Sequence, residues 1–140
     1  MSTTIKFTQE SMKQMALFEK ITRAKVKDCF EDTNNQLVFI VNQGELKKAL
    51  GKQASTVKRL RDLFKRNIRI IEFNADVSEF IKNVARPIKL GSVESHGEIY
   101  TMIPPDVKSR GLLIGRNARV LRDNENIIKR YYQIDELKVQ

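Results

Sequence analysis

Residues 49–66 read ALGKQASTVKRLRDLFKR, and 64 positions later residues 113–130 read LIGRNARVLRDNENIIKR, with no gap between the two. Each copy sets a glycine, a basic residue, an amide and an alanine between two helical patterns: Gly51, Lys52, Gln53, Ala54 and then Gly115, Arg116, Asn117, Ala118. Lys65/Lys129 and Arg66/Arg130 are also identical, and Leu50/Ile114, Val57/Leu121, Lys58/Arg122 and Leu63/Ile127 are conservative pairs. Leu60/Asn124 is the clear mismatch. A lone Gly-x-x-Ala carries little information, because with glycine at about 7% of residues roughly one such match arises by chance in this length. A gapless repeat with matching flanks is a duplicated structural unit.

The flanks repeat as well. Thr8 is a candidate N-cap with Gln9 and Glu10 in the first turn, and Met12, Met15, Phe18 and Ile21 recur at helical spacing, which predicts a helix over 8–23. Its Met and Phe stripe reads as core. Strands are expected over 25–30 and 36–41 around the turn cluster 32–35, then a short helix over 44–50, a helix over 54–66 and a strand over 68–73. Val57, Leu60, Leu63 and Phe64 form the inward face of that second helix. The second half repeats the order. Asp76 and Glu79 stand at capping-box spacing before a helix that Pro87 ends. Strands follow over 88–93 and 99–103 around a 95–97 turn. A short helix then leads to Ile114, a longer one over 118–131 buries Val120, Leu121, Ile127 and Ile128, and a strand over 134–139 closes the chain. Two domains are therefore expected, 1–74 and 75–140. The fold class is α+β, each domain a three-stranded sheet with three helices packed on it.

Composition narrows the function. The chain has 140 residues, 41% hydrophobic and 31% charged, and a net charge of +9, which favours a polyanionic partner. Between positions 47 and 69 the basic residues Lys47, Lys48, Lys52, Lys58, Arg59, Arg61, Lys65, Arg66 and Arg69 are opposed only by Asp62. The excess thus lies on the repeated motif. The longest strongly apolar run, Leu37-Val38-Phe39-Ile40-Val41, is too short to span a bilayer, so no membrane partner is expected. The opening MSTTIKFTQE lacks a basic-then-apolar leader pattern, and the single Cys29 suits a reducing cytosol, so a cytoplasmic protein is expected. Cys29 itself reads as a small apolar strand residue.

The chemistry of the motif points the same way. A glycine at a tight junction between helices lets a sugar-phosphate backbone come close, and the helix that follows offers unpaired N–H groups and the positive end of its dipole. Lys52 and Arg116 add charge at the tip, and Gln53 and Asn117 add amides. Leu50 and Val57, with their counterparts Ile114 and Leu121, can floor an apolar groove for bases, while Lys58 and Arg122 can follow phosphates. Arg59, Arg61 and Arg119 are further phosphate candidates; Tyr131 and Tyr132 could stack bases, but a pair at a helix end more often packs one ring into the core, and they are left out of the site.

Strand, helix, (I/L)-G-(K/R)-x-x-x-x-(V/L), helix, strand resembles the KH nucleic-acid-binding module. With a helix and a strand ahead of that core, each half is similar to its type II variant. Two such modules in tandem resemble the paired KH domains of NusA transcription factors, most of all the archaeal NusA-like family, over nearly the whole chain. The resemblance implies single-stranded RNA binding in transcription elongation, termination or antitermination, through the loop residues Gly51, Lys52, Gln53, Ala54, Val57, Lys58 and Gly115, Arg116, Asn117, Ala118, Leu121, Arg122. It leaves RNA polymerase or ribosome-associated factors as further partners, and a monomer without cofactor or metal is expected. The family loop is Gly-x-x-Gly, whereas both copies here end in alanine. Alanine fits a first helical turn, while a left-handed backbone there would cost roughly 1–2 kcal/mol. Its presence in both copies reads as compatible with a working loop.

Two alternatives differ in class. Taken alone, GELKKALGKQASTVKRLRDL mimics a DNA-binding helix-turn-helix, but the strands predicted on either side of each helix pair argue against it. A KH protein associated with ribosomes or RNA processing is compatible with the same residues. An enzyme is not expected: His96 is the only histidine and sits in a Gly-flanked turn, and no phosphate-cradling loop, metal cluster or nucleophile arrangement is present.

Overall fold

The computed structural model describes residues 7–140, the side chain of Ala54 excepted. The first six residues of the N-terminal stretch read for a leader lie outside it. Two compact units divide between Asn74 and Ala75. The first unit runs α1 (Gln9–Thr22), β1 (Val26–Glu31), β2 (Leu37–Val41), α2 (Leu46–Leu50), α3 (Ser55–Phe64) and β3 (Ile68–Glu72). The second repeats that order with α4 (Val77–Ala85), β4 (Ser92–His96), β5 (Ile99–Ile103), α5 (Val107–Ile114), α6 (Arg119–Lys129) and β6 (Glu136–Val139).

In each unit the first strand pairs antiparallel with the second and the third pairs parallel with the second, in sheet orders β1-β2-β3 and β4-β5-β6. A parallel neighbour needs a crossover, and the helix pairs α2/α3 and α5/α6 supply it. The repeated motif sits inside that crossover. This is the α+β architecture expected of two tandem type II KH-like modules, each a three-stranded sheet with three helices.

The apolar stripe of α1 and the inward face of α3 meet over β2. Phe18 stacks on Phe39 at 4.2 Å, and Phe64 lies 5.7 Å from Phe39. Leu37, Val41, Ala49, Leu60 and the strand residue Cys29 complete this core. Thr8 caps α1 as expected, with Ser11 closing the reciprocal box. In the second unit Phe80 meets Tyr131 edge-on at 5.6 Å, so that tyrosine is a packing residue, and Leu113, Ile128 and Leu137 are buried. Asn124 is buried where the first unit has Leu60, and Glu125 beside it is buried too.

Several expectations are corrected. Met12 is 51% exposed, because only part of the α1 stripe faces β2. Leu63 is 48% exposed, and Val120 lies at the surface rather than in the core. Asp76 occupies the N-cap of α4 without a side-chain capping bond, and Glu79 three residues on pairs with Lys82 at 3.0 Å. The strand expected over 88–93 begins at Ser92. Ile88 still bonds back to the Ala85 carbonyl at 3.0 Å, and a two-residue turn at Gly97 (φ +64°) and Glu98 pairs His96 with Ile99. His96 therefore ends β4 instead of occupying a turn.

Candidate functional site

The two crossovers turn at their glycines. Gly51 ends α2 by donating its N–H to the Lys47 carbonyl (3.1 Å), and Gly115 ends α5 by donating to Gly111 (2.9 Å). Their backbones stand at φ 67°, ψ −174° and φ 73°, ψ 177°, a region open essentially to glycine alone. The amide residues follow in the left-handed region, Gln53 at φ 53°, ψ 35° and Asn117 at φ 55°, ψ 32°. Two loops of different sequence thus hold nearly the same backbone. A Cβ on Gly51 would collide with the Thr56 side chain, and one on Gly115 would stand 2.9 Å from Val120 Cβ and 3.0 Å from its backbone nitrogen. Each glycine therefore admits the close packing of the next helix against the turn.

Ala118 departs from the helical-turn expectation. It lies at φ 59°, ψ 23°, left-handed like Asn117, and forms the N-cap of α6. The alternative that strains an alanine is the one realised in the second loop. An alanine cap has no side-chain acceptor, so no side chain caps α6, and the Arg119 N–H donates to the Arg116 carbonyl of the turn before it. At α1 and α5 a side chain does cap: Thr8 accepts from Ser11 N–H at 3.0 Å, and Asp106 accepts from Ser109 N–H at 2.7 Å.

The structure places each set of expected residues on a turn and the first part of the helix that follows it. Lys52, Gln53 and Lys58 are exposed around Gly51, with Val57 half-buried behind them; Arg116, Asn117 and Arg122 are exposed around Gly115, with Ala118 half-buried. Leu121 is 7% exposed and belongs more to the core than to an open groove floor. Lys58 and Arg122, equivalent in sequence, differ in surroundings. Arg122 is held by Glu125 at 2.9 Å and Glu136 at 3.8 Å, whereas no ion pair engages Lys58 among the described residues. The repeated Arg66 is structural as well, bound to Glu31 and to the Asn35 carbonyl at 2.9 Å each.

Sequence reading missed Thr56 and Val120, the residues that press on the two glycines. They occupy equivalent places in the repeat, which was the available signal. Asp106 has its carboxyl held below the ordinary range, chiefly by the Ser109 backbone N–H, then by the Ser109 side chain and Lys108. His96 is exposed with Nδ1 3.0 Å from the Ser95 carbonyl. Among the described residues no cluster of three or more His, Cys, Asp or Glu is placed to hold a metal, and no helix is long and apolar enough to cross a membrane.

Comparison with known proteins adds to this geometry. The KH domain family profile matches residues 13–88, which spans most of the first unit and runs through α4. The chain is 32% identical over 140 residues to a probable transcription termination protein NusA of Methanococcus vannielii, covering 96% of this chain and 79% of that one. It is 29% identical to the protein of the same description in Methanocaldococcus jannaschii (96% and 75% covered) and 25% identical to that of Halococcus morrhuae (96% and 98%). A crystal structure of APE1850 superposes with a TM-score of 0.76 at 22% identity, covering 96% of this chain and 100% of that one, a likeness of fold.

Proposed function

The chain belongs to the KH-domain family, and on that premise we propose that it binds single-stranded RNA through the loops at Gly51 and Gly115, as a NusA-like transcription factor. The modules are 1–74 and 75–140, and each grips about four nucleotides of backbone. One observation carries the reading: two loops with different side chains share a glycine-only turn followed by a left-handed amide residue. Random drift after duplication would not be expected to keep so constrained a backbone twice. Its use is close approach of phosphates, with Lys52 and Arg116 as counter-charges and Lys58 beside the first loop. The role is non-catalytic and acts in elongation, termination or antitermination, in the cytoplasm, with the monomer reaching RNA polymerase or ribosome-associated factors through surfaces other than these loops.

The test is a double substitution, Lys52→Asp with Gln53→Asp. Aspartate tolerates the left-handed region, so the loop backbone survives while the charge at its tip reverses. Fluorescence anisotropy with a single-stranded RNA should show binding by the first module abolished and the fold intact. Unchanged affinity would overturn the assignment, and preferential competition by duplex DNA at equal salt would move it to the helix-turn-helix class.

A further inference from the structure

On the first unit a cleft of about 700 Å³ opens between α1 and α3, lined at its base by Leu17, Ile21 and Leu63. Lys20, Arg23 and Arg59 stand on its rim, with Asp62 the one acid in the lining. No ion pair engages these three cations among the described residues, although Lys48, Arg66, Lys82, Arg122 and Lys129 are each paired.

The duplication provides an internal control. The repeat partner of Leu63 is Ile127, which is 2% exposed, whereas Leu63 is 48% exposed. The same position of the repeat is thus covered in the second copy and open in the first. Arg59 likewise corresponds to the buried Asp123. Arg23 adds a second sign. It ends α1 at φ 62°, where glycine would be unstrained, yet carries a guanidinium to the cleft rim.

We propose that this cleft docks an acidic amphipathic segment of a protein partner, its aliphatic side chains against Leu17, Ile21 and Leu63 and its carboxylates toward Lys20, Arg23 and Arg59. Charge complementarity selects that occupant. A second copy of this chain carries net charge +9 and would be repelled by a basic rim. RNA bases favour aromatic faces, of which the lining has none. An amphipathic helix in a groove matches both the apolar base and the charged edge. The proposal does not rest on the RNA-binding reading.

The test starts from a random-peptide display library selected on the intact protein. Enriched peptides should combine Asp or Glu with Leu, Ile or Phe at helical spacing. Binding of the best one, by anisotropy, should fall about tenfold in Leu63→Gln and in Arg23→Gly. Arg23→Gly relieves the positive φ, so its thermal midpoint should hold or rise while peptide affinity falls, which separates docking from folding. Selection without an acidic-aliphatic consensus would overturn the proposal. So would peptide affinity unchanged in both variants, or loss in both of affinity for a single-stranded RNA that also displaces the peptide.

Discussion

Ala118 shows how much one dihedral decides. A left-handed backbone costs an L-residue with a Cβ roughly 1–2 kcal/mol, and alanine has no side chain to recover it by hydrogen bonding. Ala118→Gly should therefore stabilise the second unit. The gain is reduced by the larger chain entropy of glycine, about 0.5–1 kcal/mol, leaving a net effect of roughly 0.5–1 kcal/mol by urea denaturation. The paired glycines should respond in the opposite sense and unequally. At Gly51 an added methyl meets the Thr56 side chain, which can rotate; at Gly115 it meets Val120 Cβ at 2.9 Å and the backbone nitrogen at 3.0 Å, which cannot yield without moving α6. Both φ values are positive with ψ near 180°, so strain of about 1–3 kcal/mol is expected, Gly51→Ala near the lower end and Gly115→Ala near the upper. Equal losses in the two would contradict this reading of the contacts.

At the scale of elements, α5 and α6 are fixed by carboxylates with different tasks. Asp106 has its carboxyl depressed below the ordinary 3.8 because the ionised form accepts the Ser109 N–H. A depressed carboxylate stabilises above its unfolded value, and that contribution is lost as pH falls through the folded one. Protection of the Ser109 amide from exchange should thus decline in acid below the ordinary carboxylate value, and in Asp106→Asn, which keeps an acceptor but cannot titrate, the decline should vanish. Glu125 joins α6 to β6 by accepting the Leu137 N–H at 2.8 Å while holding Arg122 at 2.9 Å. Glu125→Ala leaves a buried donor unpaired and should cost about 1–3 kcal/mol by urea denaturation, whereas Glu125→Gln, which can still accept from Leu137, should cost less. These elements also mark what the sequence made legible. Period and punctuation gave the order of the elements, with only the strand expected over 88–93 displaced to Ser92–His96, because apolar spacing and Gly or Pro breaks are local properties. The covered face was less legible: Leu63, Met12 and Val120 fit the helical stripes yet lie at the surface, since periodicity defines a face without saying what packs on it. The loop residues were identified by type and spacing. The left-handed Ala118 and the tethering of Arg122 were not, because both depend on neighbours brought together only by folding.

For the whole molecule the consequence of duplication is linkage. On the proposed function, once one loop holds an RNA strand the other meets it at an effective concentration set by the connecting nucleotides, and avidity can exceed a single grip by about 10²–10⁴-fold when both sites are reached together. Each phosphate neutralised on a single strand contributes a slope of about −0.7 to log K against log salt. The two loops differ in available charge, since among the described residues no ion pair engages Lys58, while Arg122 is committed to Glu125 and Glu136. Lys52→Asp with Gln53→Asp should consequently flatten the salt dependence more than Arg116→Asp with Asn117→Asp. On an oligonucleotide long enough for both loops, either pair of substitutions should reduce affinity toward that of an oligonucleotide spanning one loop, and all four together should abolish binding. Titration by anisotropy at two salt concentrations, with short and long single-stranded RNAs, measures each quantity directly. A long RNA that binds no more tightly than a short one would mean that the duplicated loops act on separate strands.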